Sequence, residues 1–161
     1  MYIPSAPIIL GIDLTRKCNI NCRHCIVGAS EKDIHMPFEL AISIVDQATK
    51  LGVQWLDLNG GEPLLYPGFF TFIKYALNKG LKVIFITNGT LVNEYFYEIR
   101  KYYSDFGTFF QIGISLDGHC AELHGYFRPK ETFTTSIEAV KALISAGIKP
   151  TVFTVLHRYN L

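Results

Sequence analysis

Three cysteines are the residues of this sequence whose type and spacing most clearly indicate chemistry. Cys18, Cys22 and Cys25 follow an apolar stretch that ends at Thr15, and they have the spacing C-x3-C-x2-C. Three thiolates this close together are ligands for a metal centre. A cubic iron–sulfur cluster contains four irons, so three protein thiolates leave one iron free to bind a small molecule. The spacing therefore predicts a metal centre with an open coordination position.

Zinc is the main alternative to iron at this loop. A structural zinc site would take His24, His35 or Cys120 as its fourth ligand. A disulfide framework is less favoured, because four cysteines in a chain of this size and no apolar signal segment at residues 1–7 indicate a reducing cytosol. Cys120 lies outside the triplet, and we assign it no role because a lone cysteine is more often a buried apolar thiol.

Composition limits the class of protein. The chain has 161 residues, of which 49% are hydrophobic and 18% charged, and this balance predicts one globular domain over residues 1–161. The formal net charge of +1 and the scattered basic residues predict no nucleic-acid partner. No apolar run approaches the roughly 18 residues that span a bilayer. We therefore expect a cytoplasmic protein without a membrane partner.

Short apolar runs alternate with segments of helical period along the chain. Branched and aromatic residues predict strands at 8–15, 53–59, 81–87, 109–116 and 149–156. Helices are predicted from Pro37 to Gly52, over 68–78 and over 93–103. A fourth helix is predicted to begin at Thr135, with Glu138 at capping-box spacing, and to stop at Gly147. This alternation predicts an α/β fold with parallel strands joined by crossover helices.

Every unusual polar motif follows the end of a predicted strand. In parallel α/β sheets, reactive groups gather at the carboxyl ends of the strands. We therefore expect the motifs to lie at one end of the sheet. They are the cysteine loop, Gly60-Gly61-Glu62-Pro63, Thr87-Asn88-Gly89, and Ser115 with Asp117 and Gly118.

The cysteine spacing, with Asn19-Ile20-Asn21 and Arg23-His24 between the cysteines, resembles the signature of the radical S-adenosylmethionine (radical SAM) enzymes. The resemblance covers residues 8–160. It implies a core domain built as an incomplete, open, TIM-like partial barrel of about five strands. It further implies that the three cysteines hold a [4Fe–4S] cluster, that S-adenosylmethionine (SAM) chelates the fourth iron, and that a one-electron reductant triggers formation of a 5′-deoxyadenosyl radical. That radical abstracts hydrogen from a substrate, and the sequence is most similar to family members that modify peptides or mature cofactors and haem.

The glycine-rich motif has a physical role that fits this family. Gly60 and Gly61 let the backbone approach a ligand closely, and Glu62 can accept hydrogen bonds from an ammonium group. In the family the motif, which here continues to Pro63, holds the methionyl amino group of SAM. The alternative is an ordinary turn with a solvated glutamate.

Two further strand ends carry candidate ligand residues. Ser115 and Asp117 resemble the family's pair at the fourth strand, which is suited to the carboxylate or ribose hydroxyls of SAM; the alternative is an ordinary turn. Thr87 and Asn88 contact the ligand in one interpretation, whereas in another Asn88 only forms a turn.

A later stretch resembles the family pattern only in part. His124, Arg128 and Phe133 match a histidine, an arginine and a phenylalanine of the pattern, in which the arginine often holds a carboxylate through two hydrogen bonds. Pro129 replaces the usual glycine after the arginine, and Gly125 replaces the usual acid after the histidine. The loop is therefore expected to follow another path.

His24 precedes the third cysteine, where many family members have an aromatic residue whose main chain contacts the adenine of SAM. A histidine can make the same main-chain contact. Its other interpretations are a donor to the cluster sulfurs or a surface residue.

The family core commonly has six strands, and the sequence ends just after the fifth predicted strand. We expect either a fragment or a short protein whose fifth strand is covered by a partner subunit, because an exposed strand edge invites pairing. Poor turnover by the isolated chain is the corresponding expectation. The rival hypotheses are a non-catalytic iron–sulfur or assembly module and a zinc-stabilised structural domain.

Overall fold

Strands and helices alternate along residues 7–160, the part of the chain that this computed structural model describes. The strands are β1 Ile9–Thr15, β2 Trp55–Gly60, β3 Lys82–Thr87, β4 Phe110–Ser115 and β5 Thr151–Phe153. The helices are α1 Phe38–Lys50, α2 Phe69–Asn78, α3 Phe96–Phe106, α4 Ala121–His124 and α5 Thr132–Ser145. The predicted absence of a signal segment concerns residues that, apart from Pro7, lie outside this range.

The five strands form one parallel sheet in the order β1-β2-β3-β4-β5. Among the described residues, β1 and β5 each pair with one neighbour, so the sheet is open at both edges. The predicted α/β class and the open arrangement of five strands are therefore confirmed. None of the helices within residues 7–160 combines the length and the apolar character that a bilayer span requires.

Apolar residues on one face of the sheet build the core beneath the helices. Ile12, Leu58, Phe85 and Ile112 are aligned across the first four strands and are at most 6% exposed. Burial of each such side chain stabilises the fold by roughly 1.5–3 kcal/mol. Because side chains alternate along a strand, the next residues point to the opposite face, which carries the polar residues described below.

Local chemistry explains where the first two helices begin. Pro37 occupies the N-cap of α1, and its fixed φ of −55° directs the chain into the first turn. Gly68 occupies the N-cap of α2 with φ of +77°, a conformation that favours glycine. Both positions agree with the sequence prediction.

The predicted capping box of the last helix is wrong. Helix α5 begins at Thr132, so Thr135 and Glu138 lie inside it and make no cap. The chain turns earlier because both the main-chain N–H and the hydroxyl of Thr132 donate to the carbonyl of Pro129. This turn also follows the short helix α4, which the sequence did not predict.

Strand β5 is shorter than the predicted 149–156. After Phe153 the chain no longer forms the regular main-chain hydrogen bonds of the sheet with β4. The Thr154 hydroxyl donates to the carbonyl of Leu116 at 2.8 Å, and the Val155 N–H donates to the Asp117 carboxylate at 2.8 Å. These bonds give the Leu116 carbonyl and the Val155 N–H partners outside the sheet, and the strand ends after three residues.

Candidate functional site

The end of β1 directs the chain into the cysteine loop, which main-chain hydrogen bonds hold in place. The N–H of Cys18 donates to Ser30 at 2.8 Å, and the N–H of Ser30 donates to Arg16 at 3.0 Å, so the two ends of the loop are tied together. A tight turn follows, in which the N–H of Cys25 donates to Cys22 at 3.2 Å. These bonds bring three thiols into one short, ordered segment.

Each of the three sulfurs receives a different hydrogen-bond donor. The side-chain amide of Asn88 lies 3.9 Å from the Cys18 sulfur, and the guanidinium of Arg128 lies 3.7 Å from the Cys22 sulfur. The main-chain N–H of Ala29 lies 3.3 Å from the Cys25 sulfur. Donors aimed at sulfur stabilise the thiolate form, which is the form that binds metals.

Burial raises the pKa of two of these thiols. For Cys18 burial is the largest cause, and for Cys22 it outweighs the opposing charge of Arg128. A buried thiol favours its neutral form unless a cationic centre compensates for the lost solvation. The site is therefore suited to thiolates that are ligated rather than free.

The chemistry of the donor set, three thiols each close to a hydrogen-bond donor, fits an iron–sulfur cluster. Within residues 7–160, no three His, Cys, Asp or Glu side chains are grouped as the ligands of one ion would be. Tetrahedral zinc needs four ligand atoms about 2.0–2.3 Å from one point, whereas a cluster spreads its thiolates over separate irons. His35, a proposed fourth zinc ligand, lies with Nδ1 2.9 Å from the Thr15 hydroxyl.

The glycine turn after β2 packs against the start of the cysteine loop. The N–H of Gly61 donates to Thr15 at 2.7 Å, and that of Glu62 donates to Lys17 at 2.8 Å. A Cβ atom at Gly60 would collide with the carbonyl oxygen of Thr15, and one at Gly61 with that of Lys17. Close approach to the protein's own backbone therefore requires both glycines.

The carboxylate of Glu62 lies behind this turn and is fully buried. It accepts hydrogen bonds from the Thr87 hydroxyl at 2.7 Å, the Asn88 N–H at 2.9 Å and the Leu64 N–H at 3.3 Å. Burial raises the pKa of Glu62 to about 7, against the opposing effect of these donors. Glu62 thus joins the carboxyl ends of β2 and β3.

A second buried carboxylate, Asp117, follows β4. Its Oδ2 accepts a hydrogen bond from Arg128 Nε at 2.6 Å and lies 3.7 Å from His24 Nε2. Its Oδ1 accepts the N–H of Val155 at 2.8 Å. Burial and the neighbouring Arg128 lower the pKa of His24, so this histidine favours its neutral form. The Asp117 carboxylate therefore joins Arg128 to the segment after β5 and lies beside the cysteine loop.

These elements enclose one cleft of about 730 Å³ at the carboxyl end of the sheet. The volume lies within the range of small-molecule sites. Its walls combine sulfur, main-chain groups at glycine, hydroxyl and amide side chains and one guanidinium. The lining residues are Asp13, Cys18, Ile20, Cys22, His24, Cys25, Ile26, Val27, Ala29, Asn59, Gly60, Gly61, Ile86, Asn88, Ser115, Arg128 and Val155.

The sequence profile described as the Radical SAM superfamily matches residues 12–160, from β1 to the end of the described chain. The chain belongs to the radical SAM superfamily. The resemblance inferred from the cysteine loop is therefore confirmed.

Curated radical SAM relatives match almost the whole chain. The AdoMet-dependent heme synthase of Methanosarcina barkeri is 32% identical over 98% of this chain and 45% of its own length. The mycofactocin maturase MftC of Mycobacterium ulcerans is 32% identical over 97% of this chain and 42% of its own length. The chain thus spans less than half the length of these relatives.

Solved structures share the fold. Streptococcus suis SuiB bound to S-adenosylmethionine superposes with a TM-score of 0.79 at 19% identity, over 97% of this chain and 36% of SuiB. The enzyme anSMEcpe with bound AdoMet superposes with a TM-score of 0.70 at 25% identity, over 91% of this chain and 43% of that chain. The likeness to SuiB supports a partial-barrel α/β architecture.

The structure brings most of the predicted site residues of this radical SAM chain to the cleft. The residues that line it are the three cysteines, His24, Gly60, Gly61, Asn88, Ser115 and Arg128. Four others are not among the lining residues: Glu62, Pro63, Thr87 and Asp117, all of which are buried. The ligand contacts assigned to all of them remain predictions.

Among the cleft-lining residues that lie on strands, sequence reasoning did not single out three. Asp13, Asn59 and Ile86 lie on β1, β2 and β3 and face the cleft. Each alternates with a buried core residue on its strand, so the period of two was a usable signal. No motif surrounds them, and their position became visible only with the sheet in place.

Proposed function

We propose that this chain forms a radical SAM core domain over residues 1–161, in which Cys18, Cys22 and Cys25 bind a [4Fe–4S] cluster. The observation that carries the proposal is the shared cleft. Three thiols and the ends of four parallel strands meet there in a member of the radical SAM superfamily. Three ligands leave one iron open for a small molecule.

We assign the rest of the cleft to SAM. The main-chain groups at Gly60 and Gly61 suit the methionyl amino group, and the main chain at His24 suits the adenine. Ser115 and Arg128 offer a hydroxyl and a guanidinium for the ligand carboxylate or ribose. The crystallised relatives SuiB and anSMEcpe, each with bound SAM, support this assignment.

Two buried carboxylates, Glu62 and Asp117, contribute to ligand binding indirectly, by holding residues that line the cleft. Glu62 holds Thr87 and the N–H of Asn88, which fixes the strand end from which the Asn88 amide reaches Cys18. Asp117 orients Arg128 in the same way. These residues keep the donors of the cleft in place without a reorganisation cost when the ligand binds.

The cofactors would supply one-electron reductive cleavage of the carbon–sulfur bond of SAM, giving methionine and a 5′-deoxyadenosyl radical that takes a hydrogen atom from the substrate. The residues of the chain would bind and orient the cofactors and shield the reaction from competing reactions. A peptide or a cofactor precursor is the proposed substrate class, because relatives include a maturase and a heme synthase and SuiB is crystallised with its precursor peptide. The chain also requires a one-electron reductant.

Anaerobic reconstitution tests the proposal. The wild-type protein should take up about four irons per chain, as a [4Fe–4S] cluster requires. Cys22→Ala should lose the cluster, whereas the matched control Cys120→Ala should keep it. Addition of SAM to the reduced wild-type protein should change the electron paramagnetic resonance (EPR) spectrum of the cluster. Stoichiometric zinc without iron uptake would contradict the proposal in favour of a structural zinc domain.

A further inference from the structure

The guanidinium of Arg128 links a buried carboxylate to one of the cysteine sulfurs. Its Nε donates to Asp117 at 2.6 Å, and its Nη1 lies 3.7 Å from the Cys22 sulfur. The Arg128 side chain is 13% exposed and that of Asp117 is not exposed at all. The resemblance to the family assigned Arg128 a ligand carboxylate and gave it no role at the cluster.

The surroundings of Asp117 fix the guanidinium. The second carboxylate oxygen accepts the N–H of Val155 at 2.8 Å, and the Asp117 carbonyl accepts the amide of Asn160 at 2.8 Å. The Arg128 main-chain N–H donates to His124 at 3.1 Å. Because carboxylate and backbone are both held, the guanidinium has little freedom to leave Cys22.

A fixed cation beside a cluster ligand changes the energy of electron transfer. Reduction adds one electron from the reductant to the cluster, and no bond forms or breaks in this step. A positive charge near a ligand sulfur stabilises the more negative, reduced state, and poor solvation makes this effect larger. The carboxylate of Asp117 acts on Cys22 in the opposite sense, and its effect is smaller than that of Arg128.

We propose that Arg128 is a positioning residue that raises the reduction potential of the cluster through Cys22, while Asp117 holds the guanidinium and moderates its charge. The inference rests on the proposed function, because it requires a cluster on the three cysteines.

Redox titration of the reconstituted full chain, followed by EPR, tests this inference. At the wild-type midpoint potential, Arg128→Gln should lower the ratio of reduced to oxidised cluster about tenfold, which is about 59 mV for one electron. Arg128→Lys keeps the charge and should change the ratio far less. Asp117→Asn keeps a side-chain oxygen that can accept the hydrogen bond from Arg128 Nε but removes the opposing charge, so it should raise the ratio severalfold.

Arg23→Gln is the matched control. Arg23 also neighbours Cys22 in sequence, but its side chain is exposed and lies 6.0 Å from the ring of Tyr126. Removal of this solvated charge should leave the ratio unchanged within about twofold, because water screens it. A change as large as that of Arg128→Gln would overturn the inference.

Shifts of the reduction potential in opposite directions distinguish an effect of charge from a general loss of order around the cluster. Such a loss would shift the potential of every variant in the same direction. The inference is overturned if cluster-loaded Arg128→Gln and Asp117→Asn shift the potential in the same direction, or if neither shifts it. If Asp117→Asn does not fold, equal shifts in Arg128→Lys and Arg128→Gln overturn it. A wild-type chain that binds no cluster overturns the proposed function, and this inference with it.

Discussion

Two fully buried carboxylates at the same end of the sheet are stabilised in different ways. Glu62, after β2, accepts three hydrogen bonds, all from neutral donors: one hydroxyl and two main-chain N–H groups. Asp117, after β4, is paired with the cation of Arg128 at 2.6 Å and accepts a main-chain N–H. The end of β2 is thus joined to the end of β3 by hydrogen bonds from neutral donors, whereas the end of β4 is joined to Arg128 by an ion pair.

The difference shows how each carboxylate can respond to a change. Neutral donors do not fully replace water around Glu62, so burial raises its pKa to about 7 and its charge varies near neutral pH. Asp117 depends on one cation, so the loss of Arg128 would leave a buried carboxylate without its counter-charge. The region after β2 should therefore be sensitive to pH, and the region after β4 to the removal of Arg128.

The largest effect is expected from Arg128→Ala in the metal-free protein. Removal of one partner of a buried ion pair leaves an uncompensated charge, so the free energy of unfolding should fall by about 4 kcal/mol. Urea denaturation followed by circular dichroism measures this change.

Lys130→Ala is the matched control for that experiment. Lys130 forms an ion pair of similar length with Glu122, 2.7 Å, but both side chains are more than half exposed. Exposed ion pairs contribute little to stability, so the denaturation midpoint should stay unchanged. Equal losses in the two variants would show that the burial of Asp117 does not matter.

The next largest effect is the pH dependence caused by Glu62. Below pH 4.5 its carboxyl is protonated in both the folded and the unfolded chain. As the pH rises, the unfolded chain loses this proton first and the folded chain only near pH 7, so the free energy of unfolding falls across this window and then levels off. At 1.36 kcal/mol per pKa unit, the fall is at most about 3 kcal/mol.

Glu62→Gln isolates this contribution, because glutamine keeps the shape of the protonated side chain and does not titrate. Urea denaturation of both proteins between about pH 4 and pH 8 should give curves that diverge as the pH rises, with the wild type losing stability relative to the variant. Parallel curves would mean that the pKa of Glu62 is the same in the folded and the unfolded chain.

The sequence was sufficient to predict the strands, their parallel order and the end of the sheet where the motifs lie. Strand periodicity and the glycine stops are local signals, and the cleft indeed contains Cys18, Gly60 and Ser115 together. The roles of buried polar groups could not be predicted in this way, because they depend on partners that are distant in the sequence. A glutamate after two glycines suggested a ligand contact, whereas two of its three donors, Thr87 at the end of β3 and Asn88 just after it, lie 25 and 26 residues further along the chain.

The end of β5 shows the same limit. Branched and aromatic residues favoured a strand over 149–156, but Thr154 and Val155 bond to Leu116 and Asp117, 38 residues earlier in the chain. Periodicity cannot reveal which distant polar group competes with the sheet ladder. Helix α5 likewise begins at Thr132 because its hydroxyl bonds to Pro129, and the capping-box pattern gave no sign of this.

The smallest effect is expected from the replacement of threonine by valine, made once at the end of β3 and once just after β5. The Thr87 hydroxyl donates to Glu62 and accepts the N–H of Gly89, and the residue is 1% exposed. Thr87→Val removes both bonds at similar volume, so the free energy of unfolding should fall by about 2 kcal/mol. Thr154→Val removes one exposed bond, to Leu116, and should cost less than about 0.5 kcal/mol. Urea denaturation of both variants at pH 8, where Glu62 is charged, measures the two costs. Similar losses would indicate that the neutral donors around Glu62 contribute no more to stability than a hydrogen bond at the open edge of the sheet.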